Sequence, residues 1–258
     1  MSGLLEVDRL RVSFGGVVAV DDVSFSVEEG TLVGFIGPNG AGKTTSIEAL
    51  TGYLPQATGR VVFDGHDISG LAPHRRARLG LVRTFQSVEL FDDLSVRDNL
   101  RAAANPRTWW QSLGELVAPR WHADESGIDA VLDLLGLADV ANEFPTELSQ
   151  GQRKLAGVAR SLACRPRLLL LDEPAAGLDS AESIELGARL RTIVDSGVSV
   201  LLVDHDMGLV LGSCDEVVVL DFGRVIARGA PKDIQTNAAV VAAYLGDESI
   251  ASEYGGDR

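Results

Sequence analysis

Gly37-Pro38-Asn39-Gly40-Ala41-Gly42-Lys43-Thr44-Thr45 sets three glycines, a lysine and two hydroxyls at the spacing G-x-x-x-x-G-K-[ST]. A loop of this kind cradles a nucleoside triphosphate with successive backbone N–H groups, and a side chain at Gly37, Gly40 or Gly42 would obstruct the close approach. Lys43 brings a positive charge to the β- and γ-phosphates, Thr44 offers a hydroxyl to Mg²⁺, and a helix beginning here turns its positive dipole end toward the anion. A Gly-rich turn merely joining strand to helix is the plain alternative. Strand, loop and helix all fall where the phosphate-binding motif requires them, which favours nucleotide binding.

A second group lies far along the chain. Leu168-Leu169-Leu170-Leu171-Asp172-Glu173-Pro174 is an apolar run ending in two carboxylates. That form suits an Asp that holds Mg²⁺ through a bound water and a Glu that polarises an attacking water, although alone it also fits a solvated strand end. Ser149 and Gln152 in Leu148-Ser149-Gln150-Gly151-Gln152 fit a capping box at the start of a helix reaching about Ala163, and a capped helix N-terminus is also a site for an anion. Gln86 after Gly80 to Phe85, and His205 after Val203-Asp204, carry no meaning singly.

The elements that must position these residues follow from periodicity. Leu32 to Ile36, Leu168 to Leu171 and Val198 to Val203 are nearly continuous apolar runs, as parallel strands buried on both faces should be. Each ends at a polar cluster, namely the phosphate loop, Asp172-Glu173 and His205, and ligands of open α/β sheets bind at those strand ends. Before them, Leu4 to Val12, Val17 to Val20 and Val23 to Val27 with Gly15-Gly16 and Glu28-Glu29-Gly30 predict an antiparallel opening. The loop helix spans about Lys43 to Leu50, and Gly59 to Ile68 predicts a hairpin. Helical stretches including Val96 to Ala104 and Ile128 to Leu135 predict a helical subdomain inserted in the α/β core at about 87–147. The core then comprises about 1–86 and 148–230, followed by a helix at about 231–245 and a mobile tail over 247–258.

In order, Gly37 to Thr44, Gln86, Leu148 to Gln152, Asp172-Glu173, Ala176-Gly177-Leu178-Asp179 and His205 resemble the ATP-binding subunit of an ABC transporter, over essentially the whole chain. The resemblance implies one domain over 1–246 with the α/β fold of a P-loop NTPase of the ABC type, an N-terminal antiparallel β-subdomain and an inserted helical subdomain. It implies ATP and Mg²⁺ as cofactors, and ATP hydrolysis coupled to transport. Gln86 is then the Q-loop glutamine at the metal. Ser149, Gly151 and Gln152 are the signature that faces the γ-phosphate of a partner, Glu173 the catalytic carboxylate, Asp179 the D-loop aspartate and His205 the switch histidine. Phe14 matches the aromatic that stacks on adenine, where a core-facing Phe is the reading without that context. Gln150 departs from the family's usual third signature residue, glycine, while Ser149 and Gly151 are retained.

Val82 to Gln86 with Leu90-Phe91, Asp204 to Met207 and Ala242 to Gly246 look like the ATPases of branched-chain amino acid importers, a pattern shared by importers of urea, amides or other hydrophobic amino acids. The family's partners are then integral-membrane permease subunits, a second ATPase subunit clamping two ATP molecules head to tail and, indirectly, a solute-binding protein. The chain is expected at the cytoplasmic face of the cell membrane, held there by the permease. A soluble, non-transport ABC ATPase is the competing class, and such proteins usually carry tandem halves, a long coiled coil or basic patches. A P-loop kinase shares Gly37 to Thr44 but has no need of Leu148 to Gln152 with His205, and a scaffold without turnover has no need of Glu173.

Composition narrows the partners further. Among 258 residues, 37 acidic and 23 basic side chains give a formal charge of −14, which argues against nucleic acid and against a direct lipid anchor. Cys164 and Cys214 have no metal or disulfide spacing, in keeping with a reducing compartment. No apolar run approaches the roughly 20 residues that span a bilayer. Trp109, Trp110 and Trp121 cluster within 107–122, as a satellite core beneath the insertion or as a contact with the permease.

Overall fold

The computed structural model describes residues 3–84, 90–104 and 125–245. Gln86, the three tryptophans and the tail from Gly246 lie outside the described residues. By packing, the chain forms two compact units, one of residues 1–83 with 167–258 and the other of residues 84–166.

In the first unit, strand β1 (Leu5–Phe14) turns at Gly15-Gly16 into antiparallel β2 (Val17–Val27). The two apolar runs expected in this region are one strand. Asp22, at φ 59°, and shifts of register against β1 absorb the polar Asp21-Asp22 pair without ending the ladder. β4 (Thr58–Phe63) pairs with the other edge of β1, and β5 (His66–Asp67) completes the sheet in the order β2-β1-β4-β5.

A six-stranded sheet carries the chemistry, in the order β10-β9-β3-β8-β7-β6. Its central strands β3 (Leu32–Ile36), β7 (Leu168–Asp172) and β8 (Ser199–Val203) are buried at every residue, so the continuous apolar runs are the sequence form of a strand covered on both faces. β3 and β7 run parallel to β8 from either side, with Leu32 opposite Val200 and Asp172 opposite Val203. Ile36, Asp172 and Val203 therefore end at one edge of the sheet. β6 (Leu81–Arg83) adds beside β7, and β9 (Glu216–Asp221) beside β3, with β10 (Arg224–Gly229) antiparallel to β9. The helices of this unit are α1 (Lys43–Leu50), α2 (Pro73–Arg78), α6 (Ser180–Asp195), α7 (Met207–Ser213), α8 (Pro231–Gln235) and α9 (Ala238–Leu245). The single C-terminal helix expected at 231–245 is two, because the Asn237 side chain accepts from the N–H groups of Ala239 and Val240 and starts a new helix there.

The second unit packs α3 (Val96–Ala104), α4 (Glu125–Leu134) and α5 (Gln150–Leu162) around Val96, Leu100, Ile128, Leu132 and Ala159. Arg101 of α3 donates to both carboxylate oxygens of Glu125 on α4 at 2.9 Å. The boundary drawn by packing lies after Pro166 instead of before Leu148, because α5 packs against α3 and α4.

Candidate functional site

The phosphate loop joins β3 to α1. Gly42 stands at the N-cap of α1 with φ 101°, no side chain caps that end, and no acidic residue occupies the first turn. A β-carbon on Gly37 would lie 2.2 Å from the Leu220 carbonyl oxygen, and one on Gly42 2.6 Å from that of Ala19. These glycines are therefore required first by the protein's own strands, which press on the loop from behind. Gly40, at φ 79°, has nothing within 4 Å of its β-carbon position, so the loop is open on that side, and Asn39 beside it is exposed. Pro38, Thr44 and Thr45 are partly buried and Ala41 is buried, with its carbonyl accepting from Gly223 N at 2.9 Å. Lys43 Nζ is nearly buried and donates to the carbonyls of Gly37 at 2.6 Å and Pro38 at 3.0 Å, which holds its charge over the loop. Phe14, near the turn into β2, is 47% exposed, so it is a surface aromatic and not a core one.

Two strands away from β3, Asp172 ends β7 and is buried, while Glu173 takes φ 49°. A non-glycine residue held in the left-handed region costs on the order of 1–3 kcal/mol, and such residues cluster at working sites. Glu173 N–H donates to the Val203 carbonyl at 2.7 Å, which fixes the turn against β8. Successive turns through Ala176 and Leu178 lead to Asp179, whose carboxylate accepts from Ala181 and Glu182 N–H and so caps α6. His205 follows β8 with its imidazole more than half exposed.

Three residues that motif reading passes over hold this edge together. Asp204 is wholly buried and accepts through Oδ1 from the N–H groups of His205 (2.8 Å) and Asp206 (3.0 Å) and through Oδ2 from Ala175 N–H (3.0 Å). Its sequence signals, an acid directly after a fully apolar strand and a place in the Asp204 to Met207 segment, do not announce this anchoring role. Asp206 caps α7 through Leu209 N–H and accepts from the Ser183 hydroxyl of α6 at 2.5 Å. Arg83, closing β6, donates from Nη2 to Asp172 Oδ2 at 2.7 Å.

The first unit thus brings Phe14, the phosphate loop, Asp172, Glu173, Asp179 and His205 onto neighbouring elements. Thr44 and Asp172 offer a hydroxyl and a carboxylate, hard oxygen donors that suit Mg²⁺ bound chiefly through phosphates. In the second unit Ser149 caps α5. Gln152 N–H donates to its Oγ at 3.2 Å, Ser149 N–H donates to Gln152 Oε1 at 2.9 Å, and Gly151 lies in the same first turn. The capping box is present, and Ser149 and Gln150 remain exposed at the helix end.

Comparison with known proteins agrees with this geometry. The ABC transporter family profile matches residues 20–176, and a profile for branched-chain amino acid ATP-binding cassette transporters matches residues 224–249. The high-affinity branched-chain amino acid transport ATP-binding protein BraF of Pseudomonas aeruginosa is 40% identical over 95% of this chain and 98% of its own length. The corresponding protein LivG of Escherichia coli is 37% identical over 95% and 98%. A solved ATP-binding cassette of an ABC transporter in its ADP conformation superposes with TM-score 0.84 at 29% identity, covering 96% of this chain and all of that one. A nucleotide-free cassette gives TM-score 0.82 at 30% identity over 95% and 99%.

Proposed function

The chain belongs to the ABC transporter family of ATP-binding proteins, and from that premise we propose that it is the ATP-hydrolysing motor subunit of an importer for branched-chain or other hydrophobic amino acids. The observation that carries the ATPase reading is the shared edge of β3, β8 and β7, where the phosphate loop, His205 and the Asp172-Glu173 pair stand side by side. The solute class rests on the names of the relatives and on the match over residues 224–249.

Phosphoryl transfer asks a protein mainly to position groups and to stabilise charge. Backbone N–H groups of Gly40 to Thr44 and the Lys43 ammonium hold the β- and γ-phosphates, and Phe14 offers an exposed face to the base. Thr44 and Asp172 would hold Mg²⁺ with Gln86, and the ion would supply positive charge against the negative charge that develops in phosphoryl transfer. Glu173, set by its backbone bond to Val203, polarises the attacking water, and His205 reaches the γ-phosphate side.

Ser149, Gly151 and Gln152 complete the site of a second ATPase subunit, and Asp179 serves the same pairing, so that two chains clamp two nucleotides. ATP then stabilises only the closed pair, and hydrolysis releases it, which makes the nucleotide cycle a shift between two populations. No helix among the described residues is long and apolar enough to cross a membrane, so a permease supplies the attachment to the cytoplasmic face and receives the motion.

Glu173→Gln tests the proposal, because it keeps the shape of the side chain and removes the base. Steady-state hydrolysis falls at least about 100-fold while binding of a fluorescent ATP analogue stays within about twofold. Unchanged hydrolysis removes Glu173 from the role. Purified from membranes with MgATP, the same variant retains permease subunits, and a soluble assembly without them overturns the importer reading.

A further inference from the structure

Arg83 and Asp172 form a nearly buried ion pair, with side chains 8% and 0% exposed and Nη2 2.7 Å from Oδ2. They sit on adjacent parallel strands, Arg83 opposite Leu170, so the guanidinium reaches two residues along β7 to the carboxylate at the strand end. A carboxylate this deeply buried needs a compensating cation. In the reading above it also serves a second cation, the Mg²⁺ that arrives with the nucleotide. Both charges are positive, both act on one carboxylate, and the surroundings are poor in water, so each weakens the other's hold.

We propose that Arg83 is a positioning residue that stands in for the metal: it orients Asp172 before Mg²⁺ arrives and lowers the affinity of the site for the metal once it is there. The planar guanidinium on a strand suits this task, since its direction is set by the ladder and its charge is permanent. Weaker metal binding in turn eases release of the Mg²⁺–ADP product. The inference rests on Asp172 being the metal carboxylate of the proposed site.

The measurement is Mn²⁺ affinity of the full chain saturated with ADP, read from the electron paramagnetic resonance signal of free Mn²⁺. Arg83→Met, which keeps length and removes charge, binds Mn²⁺ about tenfold more tightly than the unaltered protein, and Arg83→Lys stays within about twofold of it. Melting is a second readout: Arg83→Met melts lower than the unaltered protein without metal, and it gains more in Tm when Mn²⁺ and ADP are added. A merely structural role has the opposite sign, since a loosened strand end binds metal more weakly. Should Arg83→Met not fold, Arg83→Gln carries the same expectation with a side chain that still donates hydrogen bonds. Equal or weaker Mn²⁺ binding in both neutral variants overturns the proposal. Asp172→Asn separates the two levels, because it must lose Mn²⁺ affinity; if it does not, the metal role of Asp172 fails first and the Arg83 proposal falls with it.

Discussion

Asp204 shows how one buried carboxylate ties two segments of a strand edge together. Its oxygens accept three backbone N–H groups, those of His205 and Asp206 on its own segment and that of Ala175, two residues beyond Glu173. His205 and the turn that carries Glu173 are thereby tied to a common acceptor. Asp204→Asn leaves one oxygen and faces an N–H group with an NH₂ group, a clash of donors that moves one of the two segments. Turnover by this variant falls about tenfold while ADP affinity stays within about twofold, because the phosphate loop is untouched. Matched kinetics and nucleotide titrations check the split, and an equal loss in both removes the positioning role. The anchoring role of Asp204 was not legible in the sequence, since a motif marks residues expected to touch the ligand and not those that hold them. Lys43, Asp172 and Glu173 were legible as candidates because phosphate chemistry demands those types at those spacings. The left-handed backbone of Glu173 was not, since nothing in its neighbours announces a positive φ.

At the scale of elements, the buried parallel strands were the most readable part of the fold, because burial on both faces leaves no polar position to blur the run. β2 was harder to read. Its Asp21-Asp22 pair looks like a turn, yet it stays within the ladder through a bulge and through salt bridges from Asp21 to Arg11 and Arg224. The C-terminal helix likewise hid a break, since Thr236-Asn237 carries neither Gly nor Pro. Tertiary clasps between elements are also silent in sequence, and Asp215 is the clearest. It accepts from Leu32 N–H at the start of β3 and from both Nη atoms of Arg191 on α6, just before β9 begins. Burial pushes this carboxyl up, but the bonds from Arg191 and Leu32 outweigh it and hold it below its ordinary value of 3.8. A lowered folded-state value contributes stability that is present above the unfolded value and lost as pH falls through the folded one. Asp215→Asn therefore lowers stability at pH 7 by no more than about 1 kcal/mol, since solvent screens this exposed pair, and the gap to the unaltered protein narrows as pH drops below about 4. Denaturant melts at several pH values test this, and a gap that stays constant into acid shows that the charge of Asp215 is not what holds the clasp.

For the whole molecule, the distribution of groups between two units sets what a single chain can do. The phosphate loop, Glu173 and His205 belong to the first unit, and Ser149 to the second, at the exposed start of α5. In the proposed head-to-tail pair, each nucleotide takes its loop from one chain and its signature from the other. Two disabled variants then differ in which half they lack. Lys43→Ala spoils the loop that a chain uses, and Ser149→Arg spoils the signature that it lends. Either variant alone has no intact site. In a random mixture half of the dimers are mixed, and each of those holds one intact site out of two. Where the pair forms from identical chains, mixing the two inactive proteins restores up to about a quarter of the unaltered ATPase activity, and the gain rises with protein concentration. Hydrolysis that stays absent after mixing, while each variant still forms dimers with the unaltered chain, shows that the site is not shared in this way. Hydrolysis by the unaltered chain whose rate per subunit does not change on dilution leads to the same conclusion from the other side, since a site completed by a partner must lose activity as the partner dissociates.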